Sequence, residues 1–110
     1  MKTITTNELK DKIDTGDNFH LIDVLSDQSY QEHHLPTAIN IPQSPELPKQ
    51  VEDMGIAKDE EIIVYCGSVT CMASPTMAKA LESAGFSNVV DYEDGLAGWQ
   101  DAGQEFETAG

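Results

Sequence analysis

Two good nucleophiles lie within one short stretch of this sequence, "IIVYCGSVTCMASPTMAKAL", residues 62–81. Cys66 follows an apolar, β-branched run, and Cys71 stands five residues later, just before a pattern with helical spacing. A thiol between a buried strand and a helix N-terminus meets unpaired amide hydrogens and the positive end of a helix dipole. Both favour thiolate over thiol, and the thiolate is the nucleophile. Gly67, Ser68, Val69 and Thr70 are small or β-branched. With Cys71 and Met72 they can wrap a loop round one atom, aiming backbone amides inward as an anion cradle.

Position alone leaves other readings open. Cys66 fits as a small apolar side chain ending a strand. A disulfide also fits, because a loop this short brings the two Cα atoms within bonding range. A metal would need His33 and His34 besides the pair, and the spacing is not that of zinc sites. No metal or cofactor is assigned.

The elements that must hold this loop are legible from periodicity. Residues 3–5 fit a short edge strand, and a Thr or Asn cap there starts a helix over 8–13. Residues 14–18 turn, 19–24 form a strand, 27–34 a short polar helix carrying Tyr30, and 38–41 a second short strand. A helix over 46–54 ends at Gly55. "EIIVY", residues 61–65, is β-branched, apolar and too short for a helix, as suits a strand buried on both faces. Residues 72–84 have helical spacing, stopped by Gly85. Pro75 is tolerable only within the first turn, so this helix starts between Thr70 and Ser74. Residues 88–92 give the last strand and 95–101 a final helix with Trp99; the tail over 103–110 is expected to be loose. Strands alternating with helices imply α/β layers around a mostly parallel five-stranded sheet. Ligands of such sheets sit beyond the strand carboxyl ends, where Cys66 falls.

The chain has 110 residues and 39% apolar side chains, which fits one domain, 1–110. Six basic against twenty acidic side chains give a formal charge of −14. That surface repels nucleic-acid phosphates and anionic lipid, so neither partner is expected. No run has the length of a signal peptide or a membrane span, and the default compartment is the cytoplasm. A reducing cytosol keeps both thiols free unless they cycle through redox or sulfur chemistry.

Three segments together resemble the rhodanese family of single-domain sulfurtransferases, along nearly the whole chain. "LIDVLSDQSYQEHHLPTAINIP" (residues 21–42) is similar to the family's N-terminal signature, "IIVYC" with its six-residue loop to the active-site strand and loop, and "GLAGW" (residues 95–99) to the C-terminal signature. The resemblance implies a rhodanese-like three-layer sandwich and a catalytic Cys66. Cys66 would take a sulfane sulfur from a small-molecule or protein-bound donor, hold it as a persulfide, and pass it to a thiol or cyanide. The loop amides from Gly67 to Met72 would stabilise the anionic sulfur.

The sequence departs from the family where arginines are common: Leu25 follows Asp-Val, Gly67 follows the catalytic position, and Cys71 closes the loop. Without a loop cation, dianionic thiosulfate should bind weakly, and a neutral or protein-bound persulfide is at least as suitable a donor. Related phosphatases clamp phosphate with an Arg after a loop one residue longer, and this chain has no Arg, which argues against phosphatase chemistry.

Cys71 fits a resolving thiol for a Cys66 persulfide, giving a disulfide and releasing reduced sulfur. It fits somewhat better as a small residue that simply occupies the Arg position. Amides pointing inward should hold the two side chains apart, so two free thiols are expected. His34 is expected to pack or cap, Asp23 to fix loop backbone, and Trp99 and Phe86 to fill the core. Two alternatives to sulfur transfer remain: a rhodanese-fold binding or regulatory module with little turnover, and a dithiol redox protein using Cys66 and Cys71.

Overall fold

The computed structural model describes residues 2–108. Its elements run β1 (Lys2–Thr3), α1 (Thr6–Thr15), β2 (His20–Asp23), α2 (Asp27–Glu32), β3 (Ile39–Asn40), α3 (Leu47–Asp53), β4 (Ile62–Tyr65), α4 (Ala73–Ser83), β5 (Val89–Tyr92) and α5 (Gly95–Asp101). All five strands pair in parallel, in the order β1-β5-β4-β2-β3.

Local chemistry sets the helix boundaries. Thr5 and Glu8 form a reciprocal capping box at the start of α1, and Gly16 closes it with a left-handed φ of 71°. Such a cap is worth about 1 kcal/mol. Pro75 falls in the first turn of α4, where its missing amide hydrogen costs no helical bond.

Alternation along the strands divides the core in two. Ile22, Ile62, Val64 and Val89 face α3 and α4, where Leu47, Val51, Ala78, Leu81 and Phe86 pack. Leu21, Ile63, Tyr65, Val90 and Tyr92 face the other way, against Leu9, Leu35 and Trp99. Every residue of β4 is buried, because that strand has a neighbour on each edge and helices on each face. Each such side chain contributes roughly 1.5–3 kcal/mol of burial.

The chain end corrects one expectation. Residues 103–108 are not loose: His34 and Glu107 exchange backbone hydrogen bonds at 2.9 and 2.8 Å. The Trp99 indole donates to the Glu105 carbonyl at 3.0 Å, and Phe106 packs edge-on to His33. The polar composition that reads as a tail hides one aromatic anchor and a backbone pairing, neither of which has a periodicity to detect. Residues 109 and 110, the rest of that expectation, lie outside the described residues.

The topology opens a crevice where it matters. From β2 the chain crosses to β3 at one edge, whereas from β4 it crosses the other way to β5. Loops leaving the carboxyl ends of β2 and β4 therefore diverge, which makes a topological switch point.

Candidate active site

Cys66 sits at that switch point. It directly follows β4, is 1% exposed, and belongs to the core layer that α4 covers. The remainder of the loop turns outward: Val69 and Met72 are 67% and 68% exposed, and Ser68 and Thr70 bond to each other at 3.0 Å. Helix α4 begins at Ala73 with Met72 as N-cap and no side-chain cap bond.

The expected separation of the two cysteines is overturned. Their sulfurs are joined in a disulfide, with the Cα atoms 6.3 Å apart, and no cysteine among the described residues is free. The loop spends its amides differently from the expectation: the Cys71 N–H donates to the Ser68 carbonyl at 3.0 Å. That tight turn folds the chain back and swings the Cys71 side chain over Cys66. Among the described residues, the Ser74 hydroxyl lies 3.4 Å from the Cys66 sulfur and the Cys71 carbonyl oxygen 3.5 Å; the bonded sulfur carries no hydrogen, so the hydroxyl alone can donate across these distances. Cys71 itself is half-buried, so it is the outer sulfur of the pair.

The N-terminal turn of α5 fixes the loop from behind. Leu96 N–H donates to the Cys66 carbonyl at 3.0 Å, and Ala97 N–H donates to the Gly67 carbonyl at 2.9 Å. Only glycine allows this approach. Gly95 has φ 59°, and a Cβ there would collide with the Cys66 carbonyl oxygen and lie 2.9 Å from its carbon. Gly95→Ala is accordingly expected to destabilise by about 2 to 5 kcal/mol, from left-handed strain plus backbone overlap. Urea unfolding checks this, and an unchanged midpoint would contradict the close approach.

A second set of bonds anchors the β2 side. The Tyr65 hydroxyl donates to Asp23 Oδ2 at 2.9 Å and accepts from Leu35 N–H at 3.1 Å; Asp23 Oδ1 accepts from Leu25 N–H at 2.8 Å. Asp23 thus holds the loop after β2. Burial raises its pKa, against the lowering effect of the Leu25 amide and the Tyr65 hydroxyl. Tyr65 is also pushed up, first by burial and then by Asp23. His34 packs as expected: its ring stacks on Tyr30 at 3.8 Å, with Nδ1 2.7 Å from the Tyr30 carbonyl. Trp99 and Phe86 are each 2% exposed, within the core.

Sequence reasoning missed Ser74 and Asp91. Asp91 lies on β5 facing α4, is 1% exposed, and neither carboxylate oxygen has a hydrogen-bond partner. Burial raises its pKa; the nearby Ser74 hydroxyl works against that rise without reaching a well-formed bond. The signal was present in "NVVDY", where a charged residue interrupts an otherwise apolar strand.

Beside the loop, facing α5, is an open cavity of about 450 Å³ lined by Ser68, Val69, Thr6, Ala97, Asp94 and Asp101. Two carboxylates on its wall make it a poor home for a dianion.

Comparison with known proteins gives the same frame. A family model, the rhodanese-like domain, matches residues 5–102. The chain is 33% identical over 100 residues to a Bacillus subtilis protein named as a sulfurtransferase (YtwF), covering 91% of each. It is also 33% identical to an HTH-type transcriptional regulator of Mycobacterium tuberculosis, of which the match spans 42%. A rhodanese-like domain protein from Staphylococcus aureus superposes with a TM-score of 0.76 at 27% identity, covering both chains entirely. No described helix is long and apolar enough to cross a membrane.

Proposed function

The chain belongs to the rhodanese-like domain family, and on that premise we propose that it is a sulfurtransferase carrying sulfane sulfur on Cys66. Sulfur transfer is the chemistry that the family and its sulfurtransferase-named relative support. One observation supports Cys66 as carrier: it closes the central strand at the switch point, with its carbonyl held by α5 and the N-terminus of α4 ahead.

In the first step the Cys66 thiolate attacks the outer sulfur of a donor persulfide. The donor's S–S bond breaks, its inner sulfur leaves as thiolate, and Cys66 holds the persulfide. An acceptor thiolate or cyanide then attacks the outer sulfur, and Cys66 leaves as thiolate. No net oxidant enters. Amides of residues 67–72 stabilise the charged outer sulfur once the loop is released from the disulfide. A reducing compartment such as the cytoplasm holds that dithiol form. Mass spectrometry of the reduced protein after exposure to sulfur donors tests the proposal. A gain of one sulfur, about 32 Da, mapped to Cys66 is expected; no gain with any donor overturns it.

The disulfide favours a role for Cys71 as well. Its thiolate attacks the inner sulfur of the Cys66 persulfide, forming Cys66–Cys71 and expelling hydrosulfide, so the persulfide supplies the oxidising equivalents. A persulfide adduct that decays to a protein lighter by two hydrogens, with sulfide released in equal amount, supports this. A stable adduct with both thiols present refutes it.

The donor is proposed to be a neutral or protein-bound persulfide in preference to thiosulfate. The chain has no Arg and the cavity wall is acidic. Gly67 has nothing within 4 Å of an added Cβ, so a long side chain fits there. Gly67→Arg should raise thiosulfate kcat/KM by about tenfold, the value of one charge-assisted bond. An uncharged donor should change little; equal gains for both donors would sink this account.

A further inference from the structure

We propose that the exposed side of the turn from Ser68 to Met72, with the cavity beside it, docks a protein segment that presents a cysteine flanked by lysine or arginine. The partner's role as sulfur donor or acceptor rests on the sulfur-transfer reading; the docking surface does not. Among the described residues three large apolar side chains are more than half exposed, and two of them, Val69 and Met72, stand on either side of Cys71 in the sequence. Cys71 is the outer sulfur of the pair. Apolar side chains left in water around a reactive sulfur mark a contact surface, and methionine in particular adapts to a partner's shape.

The neighbouring charge sets the kind of partner. Ser68 and Val69 also line the cavity of about 450 Å³, whose other lining residues include Asp94 and Asp101, one at each end of α5. Neither carboxylate joins any of the described ion pairs. The hydrogen bond that Asp94 accepts from the Thr6 hydroxyl is long, at 3.5 Å. Two carboxylates without a cation in a concavity complement a basic segment, and the formal charge of −14 steers one toward them.

The spacing favours a peptide over a free aminothiol. Neither cysteine lines the cavity. Val69 is two residues from Cys71, up to about 7 Å of chain, and the carboxylates lie beyond it. An extended segment over the turn covers that span with a basic side chain about two to four residues from its own cysteine, the stem lying along Val69. In the oxidised protein the partner's thiolate attacks the Cys71 sulfur. The Cys66–Cys71 bond breaks, the electron pair leaves on Cys66, and the partner is held on Cys71 as a mixed disulfide. In the reduced protein the same contacts deliver a partner's persulfide to the Cys66 thiolate.

The test is formation of that mixed disulfide with no sulfur donor present, so its outcome is separate from that of sulfur transfer. Oxidised protein is mixed with synthetic peptides carrying one cysteine and either lysines or glutamates on both sides, and rates are expressed per reagent thiolate. At about 0.15 M salt the Debye length is about 8 Å, so charges across the molecule are screened and those in the cavity are not. The lysine peptide should react about tenfold faster than the glutamate peptide, the low end of electrostatic steering. Asp94→Asn with Asp101→Asn should cut that ratio to about threefold or less, as loss of exposed charge pairs does. The charge-matched pair Asp53→Asn with Asp59→Asn, after α3 and before β4 at the opposite end of the sheet, should leave it unchanged. Val69→Ser with Met72→Ser should slow both peptides by about threefold or more through lost apolar contact, while dithiothreitol reacts as before. Equal rates for the two peptides, a ratio unmoved by the cavity pair, or an equal fall in both aspartate pairs overturns the docking surface. So does an equal slowing of dithiothreitol. A preference of the same size for cysteamine over mercaptoacetate assigns the cavity to free cationic thiols and overturns the protein partner. Asp101 is exposed, so Asp101→Asn alone decides the matter if Asp94→Asn does not fold.

Discussion

Cys66→Ser is expected to abolish sulfur transfer, lowering turnover by on the order of 10³-fold or more. A covalent route has no substitute when its nucleophile is removed, and a serine hydroxyl at neutral pH is neither ionised nor sulfur-seeking. The substitution keeps size and shape in a site that is 1% exposed, with the Ser74 hydroxyl beside it as a partner for the new hydroxyl. Measured against the reduced native protein, which like the variant lacks the disulfide, any loss of stability should therefore stay within about 1–3 kcal/mol, the range for an imperfectly satisfied buried hydroxyl. Circular dichroism and unfolding curves would confirm a folded variant, and initial rates with a persulfide donor and cyanide give the decisive number. Transfer surviving at a tenth of the native rate would rule Cys66 out as carrier.

The second large effect concerns the redox state. With Cys66 bonded to Cys71, its sulfur has no thiolate form and lies buried beneath the outer sulfur. The oxidised protein should be inert to iodoacetamide and slower in sulfur transfer by more than roughly a hundredfold, since only a thiolate attacks. Addition of a thiol reductant should restore activity in step with two titratable thiols per chain. Cys71→Ser removes the partner, and activity in that variant should no longer respond to reductant. Equal transfer rates before and after reduction of the native protein would contradict this account.

What the sequence determined by itself is the layered α/β arrangement and the place of Cys66 in it. Continuous apolar runs such as residues 62–65 require a strand buried on both faces, and "GDN", Gly55 and Gly85 punctuate the elements between. The position of Cys66 follows from chain order, because the residue after a central parallel strand must lie at the ligand-binding edge. Caps, turns and periodicity are local physics, and they survive folding unchanged.

Tertiary structure decided everything that depends on groups distant in sequence or on the path of a short loop. The turn from Ser68 to Cys71 brought the two sulfurs together, against an expectation built on inward amides. No local propensity in "GSVT" distinguishes a loop that curls its amides inward from one that folds back on itself. The same holds for the support behind the site: α5, some thirty residues on, donates to the Cys66 and Gly67 carbonyls, and Asp23 meets Tyr65 across 42 residues. Asp91 was visible as a charge within an apolar strand, but its face and its neighbour Ser74 were not. Those follow from sheet register and helix packing, which arise only when all the layers close together.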